Sequence, residues 1–413
     1  MSDFPFNWCR QQFPALMHEF NGRFAVFFDN PGGSQVPVQV VDAVSNYYCQ
    51  CNANTGGAFE TSRRTDEVIH GARLAMADFL NAPEPENIIF GPNMTSLTFQ
   101  LARAFARTIR PDDEIVVTVL DHDANITPWM DLKESGAVIR LVDIDPSDCT
   151  LDMSAFEAAL SRRTRLVAVT HASNAVGTIP DVARIVRLAH DAGALVFVDA
   201  VQYAPHGPID VRALDCDFLA CSAYKFFGPH VGVLYGKIEH LKRIKPYKVR
   251  PAKVEPPWCW ETGTSNHEGI AGVAAAAGYL QELASPTVSS DDGHKSLQSA
   301  MMAIREYEKV LCARLLNGLH DIDGVRIYGI TETSRLDERL PVVAFTLPRM
   351  SPYEIARLLA KENIFCWSGN YYALRLMERL GLEAEGGAVR IGLAHYNTVE
   401  EIDRLIDVLR NVD

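Results

Sequence analysis

The chain has 413 residues. At ~150 residues per domain this means two or three domains, or one large α/β unit with an appendage. Lys and Arg total 39 against 52 Asp and Glu, a net charge of −13. That balance excludes a general nucleic-acid binder, which needs a basic surface to displace counterions, and disfavours an anionic membrane as partner. The apolar share of 47% is that of a soluble globular protein, long enough to bury a sizeable core. Nine cysteines, Cys9, Cys49, Cys51, Cys149, Cys216, Cys221, Cys259, Cys312 and Cys366, are scattered without the spacing of a metal site. Scattered thiols read as a reducing compartment. The start, MSDFPFNWCRQQFP, has no basic and apolar leader, and the apolar stretch 271–280 is too short to span a bilayer. A cytoplasmic location is therefore expected.

In chain order, short β-branched runs fall at 25–29, 87–90, 114–119, 138–144, 165–170, 194–199, 217–221 and 231–236. Continuous apolar runs suit strands covered on both faces. Helical spacing separates them, over 65–80 (Val68, Ala72, Ala75 and Phe79 on one face) and over 181–193, closed by Gly193. This alternation predicts a mainly parallel sheet with helices on both sides. The segment 282–296 is polar and turn-rich, and reads as a linker or surface loop. Beyond it come a helix over 297–319, strands over 324–330 and 341–347, a helix over 353–363 and a strand over 387–394. A last helix over 398–412 opens with the capping box Thr398–Glu401. The tail from 286 reads as a second, smaller α/β domain. Residues 1–25 form an N-terminal segment packing with it, and 26–285 form the large domain.

Chemistry concentrates in 194–236. Asp199 ends an apolar strand, at the edge where parallel sheets bind ligands. Lys225 follows a second strand and sits between Tyr224 and Phe226, just before a turn at Gly228. An isolated lysine would snorkel to water. A strand-end aspartate upstream makes a paired role more attractive. Pyridoxal phosphate (PLP) needs such a pair: a lysine to hold it as a Schiff base, and a carboxylate to keep its ring nitrogen protonated.

Further residues fit the same cofactor. Thr95 and Ser96, in GPNMTSLTF, fall at a helix start, where free N–H groups favour phosphate; an ordinary N-cap reads the same way. His122, at a strand end, would stack on a pyridine ring or stand as a polar loop residue. Asn174 would bond cofactor or substrate, or serve a turn. Arg390, on an apolar strand, needs an anion: a substrate α-carboxylate or a structural salt bridge.

These residues bring a family into view. The stretches VDAVQ (198–202) and SAYKFFGP (222–229) resemble the VDxAQ and SxHK-x-x-GP motifs of the class V aminotransferase group of fold-type I PLP enzymes, specifically cysteine desulfurase-like proteins. The likeness runs from FFDNPGGSQVP (27–37) to VRIGLAHYNTVEEIDRL (389–405). It implies the fold-type I architecture: a large domain with a mainly parallel seven-stranded sheet and a smaller C-terminal α/β domain. It implies that Lys225 holds PLP and shuttles protons, that Asp199 pairs with the ring nitrogen, and that Gln202 donates to the phenolic oxygen. It implies that His122 stacks on the ring, and that Met94, Thr95 and Ser222 cradle the phosphate. Tyr224 replaces the family's histidine. Thr264, in ETGTSN, resembles the threonine that reaches the neighbouring subunit's phosphate, which implies a homodimer with shared active sites. Asn174 and Arg390 would bind the amino-acid head.

One position departs from the family. Where cysteine desulfurases carry a nucleophilic cysteine, SGNYYALRLM (368–377) carries Tyr372. Cys366 lies six residues earlier, at the end of an expected strand, as a buried thiol. The resemblance with this gap implies a PLP-dependent lyase acting at the α and β carbons of an amino acid, by β-elimination, desulfination or β-decarboxylation, with carbon–carbon bond formation as a further outcome. Alternatives are an aminotransferase or epimerase, a desulfurase using Cys366, and an inactive PLP-binding partner protein. Tyr371, Tyr372, Asn370 and Trp367 are expected at the mouth of the site, which suits a side chain larger than that of cysteine. Arg63 and Arg64 are either anion binders or a solvated basic turn.

Overall fold

The structure, a computed structural model, describes residues 4–20, 22–284 and 292–411. The expected domain boundary at 285–286 lies outside them. Seven strands form the large sheet: β1 (Ile88–Gly91), β2 (Glu114–Thr118), β3 (Val138–Val142), β4 (Thr164–Thr170), β5 (Leu195–Asp199), β6 (Phe218–Ser222) and β7 (Gly232–Gly236). Across the sheet they run β1-β7-β6-β5-β4-β2-β3. Only β7 is antiparallel to its neighbours. Side chains alternate between two cores. Val196 and Val198 enter one, and Phe197 enters the other between Phe218 and Trp129. Each such fully buried side chain contributes about 1.5–3 kcal/mol.

Helices cover both faces. Helix α1 (Glu60–Leu80) buries Ala72, Met76, Phe79 and Leu80. Helix α2 (Met94–Ala106) follows β1 directly and buries Leu97, Leu101 and Phe105 on the opposite side. Helix α3 (Gly293–His320) starts earlier than its apolar spacing indicates. Asp292 caps it, accepting from the Lys295 amide at 3.1 Å, so the polar GHKS stretch joins the helix instead of a loop.

A second sheet of β8 (Arg326–Tyr328), β9 (Val342–Thr346), β10 (Trp367–Gly369) and β11 (Ala388–Gly392) runs β8-β9-β11-β10, antiparallel throughout. It has its own core of Leu315, Phe345, Ile391 and Leu405. The run at 25–29 does not join the large sheet. Only Val26–Phe27 is a strand, paired in parallel with Ile364–Phe365, because Asn30–Gly32 turns the chain immediately after it. Asp29 then bridges to Gly392. The run 138–144 likewise breaks after Val142, and Ile144–Asp145 pairs with Thr150–Leu151. The N-terminal segment contacts both sheets' surroundings. Phe13 packs on Phe227, Tyr279 and Tyr396, and Arg10 pairs with Glu401 at 2.8 Å.

Candidate active site

The C-terminal ends of β1, β2, β4, β5 and β6 point to one edge of the large sheet. The turns beyond them deliver Met94, His122, Asn174, Asp199 and Lys225 to one chamber. Its inner part, about 600 Å³, is lined by Met94, Thr95, Ser96, His122, Asn174, Asp199, Gln202, Ser222, Tyr224 and Lys225. The outer part, about 850 Å³, shares His122, Asn174, Tyr224 and Lys225, and adds Phe99, Trp367, Asn370, Tyr371, Tyr372 and Arg390.

The helix start forms a ready anion cradle. Asn93 caps α2, its side chain accepting from the Ser96 amide at 2.8 Å, and the Met94 amide donates to the Ser222 hydroxyl at 2.9 Å. Free N–H groups at such a terminus, with the helix dipole, favour phosphate. Asn93 escaped the sequence reading, although an asparagine three residues before Ser96 is an N-cap signal. The cradle also depends on Gly232 in β7. A Cβ there would lie 2.5 Å from the Asn93 carbonyl carbon and 2.7 Å from its Cα, both backbone. Gly232→Ala is expected to cost about 1–3 kcal/mol of stability and to weaken phosphate binding, as read by thermal unfolding with and without inorganic phosphate.

Asp199 and Lys225 are both buried. Asp199 accepts from the Val201 amide at 2.9 Å. Burial raises its carboxyl pKa, while the Lys225 ammonium opposes that shift. Lys225 is pushed down, first by burial and then by the positive charge of Arg390. A depressed lysine spends more time as the free amine, the form that attacks a carbonyl carbon or takes a proton. Tyr224 lies under the lysine and stacks on His230, ring centroids 5.1 Å apart. His230 is a lining residue that sequence reasoning passed over. It sits directly after the Gly228–Pro229 turn.

His122 Nδ1 accepts from the Ala124 amide at 3.0 Å, and its ring faces Tyr372 at 5.5 Å and 22°. Behind it, buried Asp121 accepts from the Asn125 amide group at 2.7 Å and from the Thr118 hydroxyl. Burial holds the imidazoles of His122, His171 and His395 at about 3, against 6.5 for free histidine. The folded values lie below the unfolded one. The unfolded chain therefore binds more protons, and stability falls as pH drops from about 6.5 toward about 3. His171→Asn is expected to flatten the fall of the thermal midpoint across that window.

Arg390, on β11, is 4% exposed and donates from Nη1 to the Asn174 carbonyl at 2.9 Å. Its guanidinium lies 4.2 Å over the Tyr371 ring. Asp29 stands nearby, its carboxyl raised to about 6 by burial. The loop bearing Tyr371 and Tyr372 is tied down. Asn174 donates to the Tyr371 carbonyl at 2.9 Å, and the Asp123 amide to the Tyr372 carbonyl at 2.7 Å. Both tyrosines adopt left-handed backbone, φ 55° and 58°. This conformation is uncommon for bulky residues and is held by the surrounding bonds. Cys366 does not line the chamber, and burial pushes its thiol up to about 12. No other cysteine lines it among the described residues.

Three expected residues lie elsewhere. Thr264 is exposed in the loop before the helix His267–Glu282 and does not reach the chamber of its own chain. Arg63 and Arg64 belong to α1, because the helix starts at Glu60. Both pair with Glu60, at 2.8 and 2.9 Å, on the surface. That pairing, at helical spacing, is worth a few tenths of a kcal/mol and points away from an anion site.

The aminotransferase class-V family model matches residues 26–405, and the chain belongs to that family of PLP-dependent enzymes. It is 33% identical to a cysteine desulfurase of Dickeya dadantii (strain 3937), over 99% of this chain and 97% of that one. It is 35% identical to a probable cysteine desulfurase of Mycolicibacterium paratuberculosis (strain ATCC BAA-968 / K-10), of whose length it spans 57%. The apo structure of a cysteine desulfurase from Thermococcus onnurineus NA1 superposes with a TM-score of 0.86 at 28% identity, covering 99% of this chain and 98% of that one. The architecture is thus the fold-type I one, and the cofactor is PLP. The chamber suits that group. Asn174 Oδ1, Gln202 Oε1 and Arg390 Nε are buried polar atoms without partners among the described residues. Such atoms on chamber-lining residues call for a polar ligand. Among the described residues no helix is long and apolar enough to cross a membrane.

Proposed function

We propose that the chain is a PLP-dependent lyase acting at the α and β carbons of an amino acid whose β-substituent is larger than a thiol. The observation that supports it is a chamber lined by Lys225, Asp199 and Arg390 and, among the described residues, by no cysteine; Tyr372 takes the place that the resemblance gives to the family's nucleophile. Without a thiol at hand, the substituent leaves as its own product instead of passing to the protein.

PLP, when bound, supplies a sink for negative charge developing at the substrate α-carbon. Lys225 would hold it covalently and, once displaced, move a proton to or from that carbon with Nζ. Asp199 would keep the ring nitrogen protonated. His122, neutral over the physiological range, would pack on the ring face as an uncharged plane. The turn at Met94 and Thr95, with the Ser222 hydroxyl, would hold the phosphate; Tyr224 and Gln202 would complete the polar wall. Arg390 would bind the substrate's α-carboxylate and, with Asn174, hold its amino-acid head so that the α-proton is oriented. Tyr372, 73% exposed, would cover the substituent.

This reading includes a homodimer, since exposed Thr264 is free to serve a neighbouring subunit's site. It also includes the division into residues 1–25, 26–285 and 286–413, and a cytoplasmic location. The test is incubation with amino acids carrying β-sulfinate, β-sulfoxide or β-carboxylate groups and no keto acid. Pyruvate or alanine release supports the lyase. Strict dependence on a keto acid makes the chain an aminotransferase. With cysteine as the substrate, a protein persulfide lost in Cys366→Ala makes it a desulfurase.

A further inference from the structure

Behind the chamber lies a buried pair that the chemistry above does not use. His206 and Glu308 are 2% and 1% exposed, 102 residues apart in sequence, with His206 Nδ1 2.8 Å from Glu308 Oε2. His206 Nε2 lies 3.3 Å from Nε2 of Gln202. Gln202 lines the inner chamber, and its Oε1 is buried without a partner. The pair therefore touches the chamber through Gln202.

Elementary hydrogen-bond counting links the pair's protons to that side chain. With one proton on the pair, His206 Nδ1–H donates to the carboxylate and Nε2 accepts from the Gln202 N–H, so the amide carbonyl faces the chamber. The structure has Gln202 in the orientation this requires, with Nε2 toward His206 and Oε1 without a partner. With two protons, the pair can place Oε2–H toward Nδ1 and leave Nε2–H to donate. The Gln202 carbonyl then turns toward His206, and its N–H₂ faces the chamber. An anionic ligand oxygen, such as the phenolic oxygen of PLP, accepts only and can pair only with the N–H₂.

We propose that His206 and Glu308 are positioning residues that take up one proton when the cofactor binds, turning Gln202 into a donor toward it. The inference rests on the PLP reading above. The surroundings favour a second proton on the carboxyl side: burial raises the Glu308 pKa, and Glu308 Oε2 is the oxygen that meets His206 Nδ1. Other charged and titratable groups around the pair are Arg305, Lys309 and Cys312 on α3, Arg339 across a small cavity, Cys9 and His395. Arg305 also reaches toward Tyr203, which stacks on His171. The cations work against protonation, so uptake needs the bond to the ligand and is not complete beforehand.

The test is calorimetry of PLP binding to the apoprotein in two buffers of different ionisation enthalpy, which gives the net protons taken up. The wild type is expected to take up about one proton more than Glu308→Gln, which lacks the carboxylate that takes it. Gln202→Leu is expected to show the lower uptake too, and adding Glu308→Gln to it is expected to change nothing further. Equal uptake in wild type and Glu308→Gln, or a difference that persists without Gln202, overturns the proposal. Absence of binding heat in the wild type would instead remove the PLP reading and this inference with it.

Discussion

Replacing Lys225 with alanine is expected to abolish the visible absorbance of the lysine-bound cofactor and to lower turnover ~10³-fold or more. Two roles fall together in this variant. The amine that would hold the cofactor is lost, and so is the base beside the substrate α-carbon. The side chain is buried and feels the charges of Arg390 and Asp199. The protein is expected to stay folded, because deleting a buried amine removes a group that burial already disfavours as a charge. Partial recovery of turnover with small primary amines would separate a lost proton carrier from a damaged fold.

Arg390→Leu is the second large effect. A bidentate guanidinium–carboxylate pair makes two charge-assisted hydrogen bonds, each worth about 1.5–3 kcal/mol. Their loss is expected to lower kcat/KM by about 10²-fold or more. Arg390→Lys is expected to recover little, because an ammonium cannot form the planar fork. The fall should appear mainly in KM where the carboxylate is bound equally in ground and transition states, and in kcat where it also orients the α-proton. The loss of charge beside Asp29 and Lys225 gives a second readout. Arg390 presses the Lys225 amine down, so the leucine variant is expected to shift the lysine's titration upward.

The chamber was legible in the sequence to the extent that strand ends specify it. Parallel strands place their C-terminal turns on one edge, so apolar runs ending at Val119, Thr170, Asp199 and Cys221 bring His122, Asn174 and Lys225 toward one another. Arg390 was legible because an arginine inside an apolar run needs a partner. What spacing does not carry is the meeting of distant elements. His206 and Glu308 touch across 102 residues, and nothing local to either marks the other. The bonds that hold Tyr371 and Tyr372 in left-handed backbone come from Asn174 and Asp123, so no turn motif announces them. Arg63 and Arg64 were ambiguous because the helix boundary decided their partner: a start at Glu60 rather than 65 supplies the carboxylate that occupies both.

The fold followed the same division. A mainly parallel sheet was readable from continuous apolar runs, and its seven strands were what the resemblance implied. The run at 25–29 was misplaced because apolar content fixes burial but not the pairing partner, and the turn at Asn30–Gly32 sends it to Ile364–Phe365.

Lys225 is expected to hold the cofactor in this chamber. Borohydride reduction of the cofactor-loaded protein, followed by proteolysis and peptide mass mapping, tests this most directly. A phosphopyridoxyl group is expected on the peptide containing Lys225, and none in Lys225→Ala. A label on any other lysine, or none on the wild type, would contradict it.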